Sequence, residues 1–315
     1  MEKQEYTVKV VTPTIMGGAN SKELDSNYIR TTEIKSAMRQ AFRLVAGKYM
    51  DHNKLYELES EVFGNTEGKG KFRLIVDIDP NYIKQGDVKP LPHKSNFTKK
   101  AIMPGSKFKL EIISYKYPIE FYKALLDIAF LLGVGFKRNR LFGNMKIEQS
   151  ESFHFGKSVE KIENFLMENF LKEKGLKERF TENPLFACLS KRSNGDKNED
   201  KNYLIKSVDL KDGYSVDKEF EITLKDLYKK IIQEIEKEKR FNSILGSAKP
   251  RQSSYVNFSI LEGRSGGYMF CILSFYYKNK DYYKNKDFDY GNWRKATEKV
   301  EELVKETFEK KQSEG

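Results

Sequence analysis

The chain has 315 residues, of which 38% are hydrophobic and 33% charged, and its formal net charge is +11. That length suits one large domain or two modest ones, and the apolar share, below the globular average, leaves a core that is real but not generous. Two distant cysteines, Cys188 and Cys271, exclude a disulfide framework and a CxxC metal site. No apolar run approaches the roughly 20 residues of a bilayer span. The start, Met1-Glu2-Lys3-Gln4-Glu5, lacks a signal peptide's apolar stretch. A soluble cytoplasmic protein is expected. The positive excess is uneven: residues 1–150 hold 25 Lys/Arg against 17 Asp/Glu, and the remainder holds 32 against 29. A basic surface favours nucleic acid, an anionic membrane or an acidic protein; lysine on solvated faces produces the same total.

In chain order, Tyr6–Ile15 reads as a strand, rich in Val8, Val10, Val11 and Ile15 and ended by Pro13 and Gly17-Gly18. Thr31 or Thr32 is positioned to cap a helix whose Ile34, Ala37, Met38, Ala41, Phe42 and Val45 share one face. Leu55–Phe63 adds a helical piece that stops at Gly64. Phe72–Ile78 is a second strand. A long irregular insert with four prolines and five lysines runs from Pro80 to Pro104. Phe108–Tyr117 is a third strand, Ile119–Leu132 a helix and Asn144–Glu148 a fourth strand. This order is the split βαβ, ferredoxin-like arrangement, with a junction near residue 152.

The second half, residues 153–315, predicts a helix over Val159–Lys174, strand-like pieces at Phe186–Leu189 and Tyr203–Leu210, and a mobile polar tract from Ser193 to Asn198. A long helix follows over Leu224–Leu245, then a hairpin (Tyr255–Leu261, Tyr268–Tyr277) and a final helix over Trp293–Lys310. The expectation is an α+β protein of two tandem ferredoxin-like domains, the second degenerate. In Gly267–Phe275 both alternating sets are apolar, which marks a strand covered on both faces rather than an aromatic platform for RNA.

The densest chemistry lies in Leu132-Gly133-Val134-Gly135-Phe136-Lys137-Arg138-Asn139-Arg140-Leu141-Phe142-Gly143, which gathers three glycines and three cations between a helix and a strand. Glycine admits positive φ and close backbone approach, and Lys137, Arg138 and Arg140 would reach an anion seated there. A helix cap followed by a surface loop explains one glycine but not the cations. The run is neither a Walker loop nor a dinucleotide fingerprint. Lys35, Arg39 and Arg43, four residues apart, line one flank of the first helix. With Gly17, Gly18 and Arg30 before them they would grip a phosphodiester at a helix N-terminus, or else snorkel over the core. Lys249-Pro250-Arg251 is a further candidate for backbone contact. No metal or cofactor is expected: His52, His93 and His154 are isolated, and Asp77 and Asp79 read as strand-end acids.

Three segments together resemble the RAMP superfamily of CRISPR effector proteins, and within it the first-subunit family of the type III-B (Cmr) complex. They are Val10–Ala19, with its double glycine; Ile29–Arg43, followed by Leu58–Gly64; and Gly133–Gly143. Their order and spacing match over residues 5–148, and Lys249–Ser254 carries a weaker likeness. Ser36 stands where the family often has glycine, Gln40-Ala41-Phe42 replaces a more aromatic stretch, and Leu141 interrupts the glycine pattern.

The resemblance implies two ferredoxin-like domains and a non-catalytic subunit. It would hold guide and target RNA beside other RAMP subunits of the Cmr complex, at the end distant from the guide's 5′ tag. Alternatives are a metal-independent endoribonuclease that processes precursor guides, for which His52 is the nearest candidate base, and a basic scaffold that makes no RNA contact. No membrane partner is expected.

Overall fold

A computed structural model describes residues 1–17, 29–47, 49–50, 52–92, 97–148, 155–171, 203–210, 212–237, 256–262, 266–275 and 290–308. The protein is α+β, as its sequence implies. Four antiparallel strands, β1 (Glu2–Val10), β2 (Phe72–Asp77), β5 (Lys107–Ser114) and β6 (Met145–Ile147), form one sheet in the order β2-β5-β1-β6. Helices α1 (Thr31–Ala46) and α2 (His52–Phe63) lie between β1 and β2, and α3 (Ile119–Leu132) lies between β5 and β6. Strand alternation sends Val8, Val10, Phe108, Leu110, Ile112, Phe72 and Leu74 under α1 and α3. The opposite face carries cross-strand ion pairs: Lys3–Glu111 at 2.7 Å, Lys109–Glu5 at 3.1 Å and Lys107–Glu148 at 2.8 Å.

Two expectations for this half need correction. The first strand ends at Val10, not Ile15. Beyond it Val11 and Thr12 donate to the Asn144 carbonyl and Thr14 bridges Ile102, so the chain leaves the ladder for scattered bonds. The Pro80–Pro104 insert is also not irregular throughout. A single 3₁₀ turn (Pro80–Tyr82) leads into a two-stranded ribbon, β3 (Gln85–Val88) with β4 (Lys99–Ile102). Strands of four residues that contain Gly86 and several polar side chains show no apolar alternation to read.

The second half contributes α4 (Phe155–Leu166) with a π-turn at Met167–Leu171, then β7 (Tyr203–Asp209). Helix α5 (Val216–Asp226) passes through a second π segment, Leu227–Ile232, into α6 (Gln233–Lys237). Strands β8 (Val256–Glu262) and β9 (Tyr268–Phe275) and helix α7 (Tyr290–Phe308) complete the described elements. The second sheet has the order β7-β9-β8, antiparallel throughout. The Phe186–Leu189 strand and the Ser193–Asn198 tract lie outside the described residues.

The described residues form two cores, and these do not follow the midpoint of the chain. Val159, Ile162, Phe165 and Leu166 of α4 join the first core, where Phe165 stacks on Phe121 of α3 at 3.8 Å between centroids. Val11, Ile15, Val88, Ala101, Leu141 and Phe142 instead join the second core beside α5 and α7. Strand β9 serves both: Cys271 and Leu273 face the first core, and Phe270 and Ile272 face the second. The expectation of a strand covered on both faces is met.

One buried amide ties the halves together. Asn144, fully buried, donates from Nδ2 to the Leu131 carbonyl at 2.8 Å. Its Oδ1 accepts from the Ile260 N–H of β8 at 3.2 Å, and its own N–H donates to Thr12 Oγ1 at 2.9 Å. The last carbonyls of α3, orphaned as at any helix end, are otherwise met by β8: Ser259 Oγ donates to Leu131 and Asn257 Nδ2 to Leu132.

The same seam carries charge. Glu262 at the end of β8 takes Lys9 at 2.8 Å and Lys146 at 2.9 Å. Burial works against its charged form, but the hydrogen bonds and charges of the two lysines outweigh it and hold the carboxyl below its ordinary range. The native pKa thus lies below the unfolded value of about 4.3. Its stabilisation is complete above that value and is lost as pH falls through the depressed native one. Denaturant unfolding between pH 5.5 and 3 should show a smaller loss of stability for Glu262→Gln than for the parent chain.

Candidate nucleic-acid interface

The glycine-rich run forms a tight loop against the chain itself. Gly133 caps α3 at φ 86, and Gly135 (φ 93) and Gly143 (φ 80) are also left-handed, as are Lys137 (φ 59) and Leu141 (φ 70). A Cβ on Gly135 would stand 2.5 Å from the Ile15 carbonyl oxygen, and one on Gly143 would overlap the Val134 carbonyl. The conformational freedom read as room for a ligand is used to bring this loop onto residues 13–16. Phe136 N–H donates to Ile15 and Gly143 N–H to Pro13, at 2.9 and 3.0 Å.

The loop's cations are spread around it. The Arg140 guanidinium lies over the Phe258 ring, 5.8 Å from its centroid, and binds the loop to β8, where Leu141 N–H also donates to the Phe258 carbonyl. The Lys137 ammonium sits over Phe136 at 5.6 Å. Arg138 is half-buried; burial lowers its pKa, and the nearby charge of Glu33, in the first turn of α1, acts the other way.

Arg30 occupies the N-cap of α1 in extended geometry, and neither Thr31 nor Thr32 caps with its side chain. Its Nη1 donates to the Gly17 carbonyl at 2.8 Å, so Arg30 and Gly17 do meet. Lys35 lies over Phe72 at 5.2 Å, and burial followed by the neighbouring Arg39 charge lowers its pKa. Arg39 and Arg43 converge on one buried carboxylate, Glu59 of α2, and Arg39 also donates to the Gly64 carbonyl. Part of the predicted cationic stripe therefore clamps α1 to α2.

Beside α1 opens a groove of about 800 Å³. Lys35 and Arg39 line it together with Lys69, Arg73, Tyr115 and the turn Gly64–Gly70; Glu67 is the acidic member of its lining. Tyr115 is 52% exposed. Lys69, Arg73 and Tyr115 were not among the sequence candidates. A signal was present for Lys69 alone, because Gly64-Asn65-Thr66-Glu67-Gly68-Lys69-Gly70-Lys71 repeats the glycine-and-cation composition of the longer run. The structure thus divides the predicted site: Lys35 and Arg39 belong to the groove, and Arg30, Gly17, Gly133, Gly135, Lys137, Arg138 and Arg140 to the loop end. The two groups flank α1: Glu33, whose charge reaches Arg138, and Lys35, which lines the groove, stand two residues apart on the helix and so point to opposite sides of it.

Gly18, Lys249 and Arg251 lie outside the described residues, as do His93, His154 and the His52 side chain. Among the described residues, no three His, Cys, Asp or Glu side chains are grouped to hold a metal, and no helix is long and apolar enough to cross a membrane.

Known proteins resemble this chain at several levels. The Cmr subunit Cmr1-1 of Pyrococcus furiosus is 28% identical over 166 residues, covering 47% of this chain and 48% of that protein. The chain thus aligns with about half the length of that curated relative. The apo crystal structure of Cmr1 from Pyrococcus furiosus superposes with a TM-score of 0.55 at 20% identity, covering 89% of both chains. A chain of the type III-B Cmr-beta complex, solved by cryo-EM bound to cognate target RNA and AMPPnP in the presence of ssDNA, gives 0.56 at 13% identity, covering 95% of this chain and 99% of that one. At these identities the structures establish a shared fold. The RAMP superfamily profile matches residues 7–146, the segment that builds the first sheet, the groove and the glycine-rich loop. Over that segment the chain is similar to the RAMP superfamily.

Proposed function

We propose that this chain is an RNA-holding subunit of a type III-B CRISPR ribonucleoprotein, acting beside other RAMP subunits and leaving the cutting of RNA to other components. The observation that carries the reading is the groove beside α1, where four cations, glycine backbone and an exposed tyrosine share one lining. That combination suits a sugar–phosphate chain that threads past while one base stacks. The relatives support it: their names place them in Cmr complexes, one of them bound to target RNA. In this reading guide and target RNA run along the groove and the loop end, at the end of the particle distant from the guide's 5′ tag. Among the described residues the second sheet, of order β8-β9-β7 with α5 after β7 and α7 after β9, matches the first sheet without its closing strand. We read it as a degenerate second ferredoxin-like unit.

Phosphate contacts make binding tolerant of sequence and steep in salt. In filter binding with single-stranded RNA, Lys35→Ala and Arg73→Ala should each weaken all sequences alike and lower the salt slope by about one. Affinity and slope both unchanged in the double variant would reject the groove as the seat of the backbone.

A further inference from the structure

We infer that Phe136, at the tip of the glycine-rich loop, is a stacking platform for one unpaired base of single-stranded RNA; this rests on the RNA-holding reading above. The apolar residues of the loop divide sharply. Val134, Leu141 and Phe142 are fully buried, whereas Phe136 is 42% exposed. The outward ring is not the product of a loose loop. Its own N–H is bonded to Ile15, and Arg140 N–H returns to the Lys137 carbonyl at 2.8 Å. The residue before it and the residue after it are both left-handed, and the second is a lysine, for which that conformation is unfavourable. The fold therefore fixes the backbone from which the phenyl ring projects outward. Aromatic rings accept any base by stacking, and the contact is worth most when the ring is held in place.

The chemistry around the ring selects the partner. Lys137 Nζ stands over the ring, and Arg138 follows in sequence. An apolar protein partner would have to desolvate these cations, whereas a nucleotide supplies a π-face for the ring and a phosphate for the ammonium. Four-stranded sheets that bind RNA place stacking aromatics on the open sheet face. Here that face carries the Lys3–Glu111, Lys109–Glu5 and Lys107–Glu148 pairs instead. The stacking function is thus displaced from the sheet to the loop, and its substrate must be a strand whose bases are already unpaired.

The test titrates the purified full chain against fluorescein-labelled 12-mers of oligoadenylate and oligouridylate, and against a 12-mer of abasic ribose phosphates, over a salt series. Phe136→Ala and Phe136→Leu should each weaken both base-bearing strands about ten-fold. Neither should change the salt slope or the binding of the abasic strand, and Phe136→Trp should restore affinity. Equal weakening of the abasic strand would overturn the proposal, because the loss would not involve a base. Unchanged affinity of Phe136→Ala would overturn it while leaving the RNA-holding reading intact, and a loss of association with partner proteins in that variant would assign the ring to a protein interface. Absence of salt-dependent binding by the parent chain to any of the three strands would overturn both readings together. A marked fall in melting temperature for Phe136→Ala would assign the ring to packing and likewise overturn the proposal.

Discussion

Replacing Asn144 by alanine should destabilise the protein by about 3 kcal/mol, since removing a fully buried amide leaves a buried donor unmet and opens a cavity. Ile260 N–H would lose its acceptor inside the seam, and a cavity would open against Thr12 and the end of α3. In a chain of this size that corresponds to a fall in melting temperature of about 4–5 °C. Asn144→Asp should be worse. It keeps the volume but sets a carboxylate at a fully buried position among helix C-terminal carbonyls, where the dipole disfavours negative charge. Thermal unfolding of the three proteins side by side checks the order, and an aspartate variant as stable as the parent would refute it.

The second large effect is expected at Gly143. Alanine there must adopt φ near +80, which costs about 1–2 kcal/mol, and its methyl group would run into the Val134 carbonyl. The loop cannot yield locally, because Val134 N–H is bonded to the Gly143 carbonyl and Gly143 N–H to Pro13. Together the two penalties should exceed about 3 kcal/mol. Gly17→Ala is the control: nothing among the described residues lies within 4 Å of its added methyl, so melting should not change. A Gly143→Ala protein that melts with the parent would show that the loop rearranges freely.

Much of the fold was legible. The apolar stripe of α1 at Ile34, Ala37, Met38, Ala41, Phe42 and Val45 is buried throughout, because a helical period of 3.6 leaves few ways to hide those residues. Strands β2, β5 and β6 lie close to where alternation put them. The ribbon β3–β4 was missed because its strands are too short to display a period. The π segments at 167–171 and 227–232 were missed because the residue pattern across them remains helical.

The candidate site was legible in composition and not in geometry. Glycines and cations announce a tight basic loop, but sequence does not say whether the room belongs to a ligand or to the chain's own carbonyls. Residues 135 and 143 lie against the chain's own carbonyls. Nor does spacing reveal that Arg39 and Arg43 meet Glu59, sixteen or more residues away, or that Arg73 and Tyr115 join Lys35 across two strands. Asn144 drew no notice because a lone asparagine before a short strand looks like ordinary turn chemistry. Its partners lie in three distant parts of the chain.

The placement of β9 has a consequence for how the molecule comes apart. A strand that gives Cys271 and Leu273 to one interior and Phe270 and Ile272 to the other cannot be withdrawn from either without exposing both. Heating should therefore produce a single calorimetric endotherm whose van't Hoff and calorimetric enthalpies agree. A fragment that stops short of the β8–β9 hairpin should populate an expanded, dye-binding state rather than a half-sized native one.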